Sequence, residues 1–187
     1  VGYLSTTGVY GNRNGAWVDE KSDLRPSNLR SKRRVDAERM WLRWGDYNGI
    51  TTQIFRLAGI YGPGRSVADQ IKAGTAMRIS KPGQVFSRIH VEDIATVLAA
   101  SMANPQPGGI YNVCDDEPAA SAEVTSYVCG LMNMAPPPLI PFEKAVLSPI
   151  GESFWADNKR VRNDRIKAEL GVKLAFPDYR IGMRAVL

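Results

Sequence analysis

Histidine occurs once and cysteine twice in 187 residues, which excludes much of the chemistry that depends on them. Cys114 and Cys129 lack the short spacing of a metal-ligating pair, and a single imidazole cannot complete a zinc site with them. No apolar run approaches the ~20 residues that span a bilayer, and no secretory leader opens the chain as given. Solenoid-type repeats and low-complexity tracts are absent too. The expectation is a cytoplasmic protein with reduced, buried thiols, no metal and no membrane association.

The length suits one core, with a small satellite at most. The formal net charge of +5 is moderate and clusters at Arg30-Ser31-Lys32-Arg33-Arg34 and Lys159-Arg160-Val161-Arg162. Both runs read as solvated helix faces. Neither is interleaved with aromatics in the manner of a nucleic-acid surface, so no nucleic-acid partner is expected.

Tyr3-Leu4-Ser5-Thr6-Thr7-Gly8-Val9-Tyr10-Gly11 reads as an apolar strand ending in hydroxyls and a tight turn, and Gln53 to Gly64 repeats that cadence. Two such strands around a helical stretch are expected to be parallel neighbours, with ligands outside their carboxyl ends. Ser27 is the expected cap of a helix running to about Trp44, with Gly45 as its stop. Strand Thr51–Leu57, helix Val67–Ala73 and strand Gln84–Ile89 follow. Ile94, Val97, Leu98 and Ser101 then form one face of a helix that ends at Asn104-Pro105. Beyond it come strand Gly109–Cys114, a helix capped by Ser121, the stiff Pro136-Pro137-Pro138 connector and a last helix, Val161–Leu170, stopped by Gly171.

Four blocks together resemble the extended short-chain dehydrogenase/reductases, the family that includes NAD-dependent sugar-nucleotide epimerases and dehydratases. They are Ser5–Gly11, Phe55–Gly64, Arg88-Ile89-His90-Val91-Glu92-Asp93-Ile94-Ala95 and Ile110–Pro118, in family order. The resemblance implies an α/β fold: a Rossmann-like parallel sheet with a small α+β substrate-binding subdomain. It places the second half of the dinucleotide-binding domain at 1–65. Residues 66–187 become mostly substrate-binding, with 86–117 returning to the first part. It further implies NAD or NADP, a nucleotide-sugar-like small molecule, and a homodimer formed through the helix that carries Val35, Met40, Trp41 and Trp44.

Two departures qualify that resemblance. No Gly-x-Gly-x-x-Gly occurs, so the chain reads as a C-terminal portion whose cofactor grip needs the pyrophosphate loop of a preceding half. Counting back from Ala37-Glu38 puts Arg30 and Arg34 at the places of the family's catalytic Tyr and Lys. Arginine does not shuttle protons near neutral pH, so the chain resembles the atypical branch of the family.

The resemblance assigns Thr6 to the reacting substrate oxygen. Tyr10 could replace the missing phenol, against simple packing under its loop. Leu4, Ser5, Thr6, Arg34 and Leu57 fall at cofactor-binding places, and Thr7, Arg65 and Arg88 at substrate-binding ones. Arg56 is expected to tie a strand end to a loop carbonyl, His90 to be structural, and Asp93 to be a helix-start carboxylate. Arg30, Lys32, Arg33 and Arg34 oppose the dipole of their helix, which leaves open a nearby anion or a screened, solvated end. The leading function is an NAD(P)-dependent epimerase/dehydratase or reductase-like enzyme. Its alternatives are a non-catalytic dinucleotide-binding sensor or scaffold, and a basic anion-binding protein.

Overall fold

The two strands that share a cadence are neighbours. Gly2–Thr6 pairs in parallel with Gln53–Leu57 along its whole length, and Ile110–Val113 adds to the other side. The computed structural model describes residues 1–187. In chain order the elements begin with β1 (Gly2–Thr6), β2 (Trp17–Val18), α1 (Leu29–Asn48), β3 (Gln53–Leu57), β4 (Gly59–Tyr61) and α2 (Val67–Lys72). Next come β5 (Arg78–Ser80), β6 (Arg88–His90), α3 (Val91–Ala103), β7 (Ile110–Val113) and α4 (Ser121–Leu131). The last are β8 (Leu139–Pro141), α5 (Pro149–Ala156), β9 (Arg160–Val161), α6 (Asp164–Leu170) and α7 (Tyr179–Ala185). The main sheet has the order β1-β3-β7, and the pairs β2-β9, β4-β6 and β5-β8 are also parallel. Every residue of β3 is buried, as expected of a parallel strand covered on both faces.

Helix α1 begins one residue later than its sequence pattern predicts and runs four residues further. Asn28 rather than Ser27 is the cap, its side chain accepting the Ser31 N–H at 2.9 Å. Gly45 does not stop the helix. A Cβ there would lie 2.2 Å from Thr52 Oγ1, so this glycine permits close approach of the strand leading into β3. Termination falls to Gly49, left-handed at φ 64°. The buried stripe is Ser31, Val35, Glu38 and Gly45, while Met40, Trp41, Trp44 and Tyr47 stay exposed.

Other boundaries moved as well. The expected strand at Gln84–Ile89 shrinks to β6, because Phe86 is engaged in a bridge with Ala119. Ser121 opens α4 without capping it; Ala120 is the cap residue and makes no side-chain bond. The expected helix from Val161 begins only at Asp164, since Arg160 and Val161 are strand residues paired with β2. Helices α5 and α7 escaped the sequence reading.

Two apolar clusters hold the chain. The larger joins Phe55, Tyr111, Val9 and Val35 around the sheet and draws in Val161, Ile166 and Val172 from the late part of the chain. The smaller packs α2, α4 and α7 through Ile71, Val124, Val128, Tyr179 and Met183. Asp93 does more than start α3: its carboxylate accepts the N–H groups of Ala175 and Phe176 at 2.8 and 3.0 Å, pinning the late segment. No helix is long and apolar enough to cross a membrane.

Candidate functional site

Where β1 ends, Thr6 caps a 3-10 turn, Thr7–Tyr10, by accepting the Gly8 N–H at 3.1 Å. Where β3 ends, the chain crosses Ala58 into β4, which pairs with β6 and so swings the glycine-rich turn away from the main sheet. The two departures leave a cleft of about 870 Å³ at the carboxyl ends of β1 and β3, a size suited to a small molecule. Leu4, Ser5, Thr6, Arg34 and Leu57 border it, and so do Thr7, Arg65 and Arg88.

Tyr10 does not border it. The ring is fully buried, and its hydroxyl donates to Asn112 Oδ1 at 2.7 Å while accepting from Arg56 Nη1 at 2.9 Å. Burial pushes the phenol up to about 12 against the pull of Arg56. Tyr10 is thus a core residue, and packing is the reading its position fits. Arg56 is structural, but its partner is a carboxylate and not a loop carbonyl: Nη2 lies 2.8 Å from Glu38 Oε2. Glu38 also accepts the Ser5 hydroxyl. A buried polar chain, Ser5–Glu38–Arg56–Tyr10–Asn112, therefore ties α1, β1, β3 and β7 together directly beneath the cleft.

The cleft is cationic in an unusual way. Arg30, Arg34, Arg65 and Arg88 all border it, and no ion pair of the molecule involves any of them. Arg34 donates to the Tyr3 hydroxyl at 2.8 Å and to the Leu4 carbonyl at 3.0 Å. Arg88 donates to the carbonyls of Phe86 and Ala119 at 2.8 and 3.0 Å. Arg30 lies over the Phe154 ring, 5.1 Å from its centroid. Of the acids present, Asp69 is occupied in the capping box of α2 and Asp157 faces Lys159 at 3.5 Å. Burial pulls the Lys159 ammonium below the usual lysine range, and Asp157 opposes that pull.

His90 is structural, its buried ring accepting the Glu92 N–H at the start of α3. Phe154, Trp155, Asp157 and Lys159 also border the cleft and went unnoticed in the sequence. The signal for Lys159 was its charge run, read as a solvated helix face. The run is instead irregular chain around the short strand β9, with the Lys159 side chain only 11% exposed.

Behind Arg88 lies Asp115, just 1% exposed, with neither carboxylate oxygen hydrogen-bonded. Burial pushes its carboxyl up to about 8, partly countered by the Arg88 charge. A raised folded pKa favours the proton-bound form, so stability from this group is full near pH 4 and is lost as pH rises through about 8. Asp115→Asn is expected to raise the melting temperature at pH 8–9 and leave it little changed near pH 4. The scale is about 2–4 °C per kcal/mol relieved in a chain of this size. An equal effect at both pH values, read by thermal melts, would contradict the assignment.

Comparison with known proteins places this geometry. Residues 1–114 match the model of the NAD dependent epimerase/dehydratase family. The protein YeeZ of Escherichia coli strain K12 is 30% identical over 178 residues, covering 94% of this chain and 58% of YeeZ. A conserved protein of unknown function from Silicibacter pomeroyi superposes with a TM-score of 0.91 at 55% identity, covering 100% of this chain and 64% of that one. MoeE5, solved in complex with UDP-glucuronic acid and NAD, superposes with a TM-score of 0.81 at 20% identity, covering 99% of this chain and 62% of its own. The chain thus spans about 58–64% of the length of these relatives. The four motif blocks, the parallel sheet and the family match agree: the chain belongs to the NAD-dependent epimerase/dehydratase family.

Proposed function

We propose that the whole protein is an NAD(P)-dependent oxidoreductase or epimerase acting on a nucleotide-sugar-like substrate. The observation that carries this reading is the set of four arginines bordering one cleft without a carboxylate partner. Unpaired guanidinium groups at the ends of parallel strands suit phosphate oxygens, which they bind in a fork. In this reading Leu4, Ser5, Thr6, Arg34 and Leu57 would contact the dinucleotide and Thr7, Arg65 and Arg88 the substrate, the two arginines at its diphosphate. Residues 1–65 and 86–117 would carry the cofactor side, and the rest of 66–187 chiefly the substrate side. A nicotinamide cofactor held there would supply hydride exchange. This chain's part is to orient that substrate through Thr6 and to hold its anionic groups.

Two measurements test the reading on the whole protein. Calorimetry is expected to show binding of NAD(H) or NADP(H), and absorbance at the nicotinamide band to change with at least one of a panel of nucleotide sugars. Binding without turnover across a wide panel would favour the sensor or scaffold alternative; no binding would overturn both.

The exposed Met40, Trp41, Trp44 and Tyr47 side chains of α1 support a second proposal, that this helix pairs with its copy in a homodimer. Trp41 packs edge-on to Trp44 at 5.6 Å and stacks with Tyr3 at 6.3 Å, forming a continuous aromatic ridge. Light scattering should report a dimer that Trp44→Glu converts to monomer; a monomeric wild type at micromolar concentration would refute it.

A further inference from the structure

Phe154, Trp155, Asp157 and Lys159 line the cleft with a different chemistry from the arginines. Trp155 packs against Phe86 and Phe142, with ring centroids 5.0 and 5.4 Å away, and its carbonyl accepts from Lys81 at 2.6 Å. The Asp157 carbonyl accepts from Gln84 at 2.8 Å, and the Asn158 N–H donates to Asn12 at 3.1 Å. The backbone N–H groups of Arg13 and Gly15 both donate to the Asn158 carbonyl, and that of Arg160 donates to Ala16. The backbone that bears Asp157 and Lys159 is therefore fixed from several sides, which pre-organises their side chains.

Those side chains have capacity left over. Lys159 Nζ makes one ionic contact, 3.5 Å from Asp157 Oδ2, although an ammonium has three donors. Asp157 Oδ1 is buried without a partner in a residue 8% exposed. Unused donors and an unused acceptor thus stand side by side, with the half-exposed Phe154 ring bordering the same cleft. The pair is neutral overall, so it adds little to phosphate attraction beyond what the arginines provide. A hydroxyl fits it better, because one hydroxyl can accept from the ammonium and donate to the carboxylate at once. Adjacent ring hydroxyls multiply that match, and the C–H face of such a ring can rest against Phe154.

We propose that Asp157 and Lys159 form a hydroxyl-recognising subsite that takes the polyhydroxylated ring of the substrate while the arginines take its phosphates. The proposal rests on the nucleotide-sugar reading above and assigns its specificity to residues outside the family's motif blocks.

Calorimetry with the whole protein, using UDP, UDP-glucose and UDP-galactose as probes, tests it. At least one sugar nucleotide is expected to bind about tenfold or more tightly than UDP, the scale of a hydrogen bond to a charged group. Lys159→Met and Asp157→Asn should each remove that advantage and leave UDP affinity unchanged, whereas Arg65→Ala should weaken all three probes alike. Should Lys159→Met fail to fold, the isosteric Asp157→Asn and the charge-preserving Lys159→Arg take its place, the latter keeping part of the advantage. Equal weakening of UDP and UDP-sugars by the Lys159 or Asp157 variants would assign the pair to the phosphates and overturn the proposal. Unchanged affinities in those variants would overturn it too, as would wild type that binds UDP with no preference for either sugar; the nucleotide reading survives each of these results. Wild type that binds none of the three probes would overturn the nucleotide-sugar reading itself, and the subsite with it.

Discussion

Glu38→Ala is expected to lower stability by about 3–5 kcal/mol, because it strands one partner of a buried ion pair. Arg56 and Glu38 side chains are each 3% exposed, and the guanidinium approaches both carboxylate oxygens. Without Glu38 the Arg56 charge keeps only the Tyr10 hydroxyl as a near partner, and the Ser5 hydroxyl loses its acceptor. At about 2–4 °C per kcal/mol, the melting temperature should fall by roughly 6–20 °C. Glu38→Met combined with Arg56→Met should recover much of that loss, since replacing a whole buried pair by apolar groups is often near neutral. Denaturant unfolding of Glu38→Met, Arg56→Met and the double variant closes the cycle. A loss below about 1 kcal/mol for Glu38→Ala, the range of an exposed pair, would show that water reaches the pair and that it does not hold α1 to the sheet.

That pair also marks how far the sequence could be read. Glu38 was visible as a motif neighbour of Arg34, and Arg56 as a strand residue, but nothing local indicated that the two would meet across α1 and β3. The strands and their shared ends were legible because each is a contiguous pattern: apolar residues, then hydroxyls or glycines at a turn. The arginines were legible because the resemblance fixed their places relative to those turns. Helices α5 and α7 were not, since each carries a glycine inside a short segment, Gly151 and Gly182. Gly182 is required by a distant residue, as a Cβ there would fall 1.8 Å from the Tyr61 hydroxyl. Lys159 failed for the same reason. A charge run reads as solvated until tertiary packing buries it, and that packing comes from residues 12–16 and 83–85, remote in the chain.

In the whole protein, Thr6→Val is expected to cut turnover roughly 100-fold, the lower range for loss of a group acting on a proton in the transition state. Under the proposed function, with the resemblance putting Arg30 and Arg34 at the tyrosine and lysine places, a cleft hydroxyl is proposed to meet the reacting oxygen. Ser5 already donates to Glu38. Thr6 accepts from the Gly8 N–H, which uses a lone pair and leaves its proton free for a ligand in the cleft. Valine keeps the shape and removes that proton; its loss as a cap costs stability by about 0.5–2 kcal/mol, so kcat must be measured below the melting transition. Thr6→Ser should restore most of the rate, because serine offers the same proton at the same strand end. Tyr10→Phe should leave turnover nearly unchanged while lowering stability, since its hydroxyl serves Arg56 and Asn112 in the core. The opposite pattern, with Thr6→Val fully active and Tyr10→Phe slowed 100-fold at unchanged stability, would transfer the proton-handling role to a residue the structure places out of the cleft.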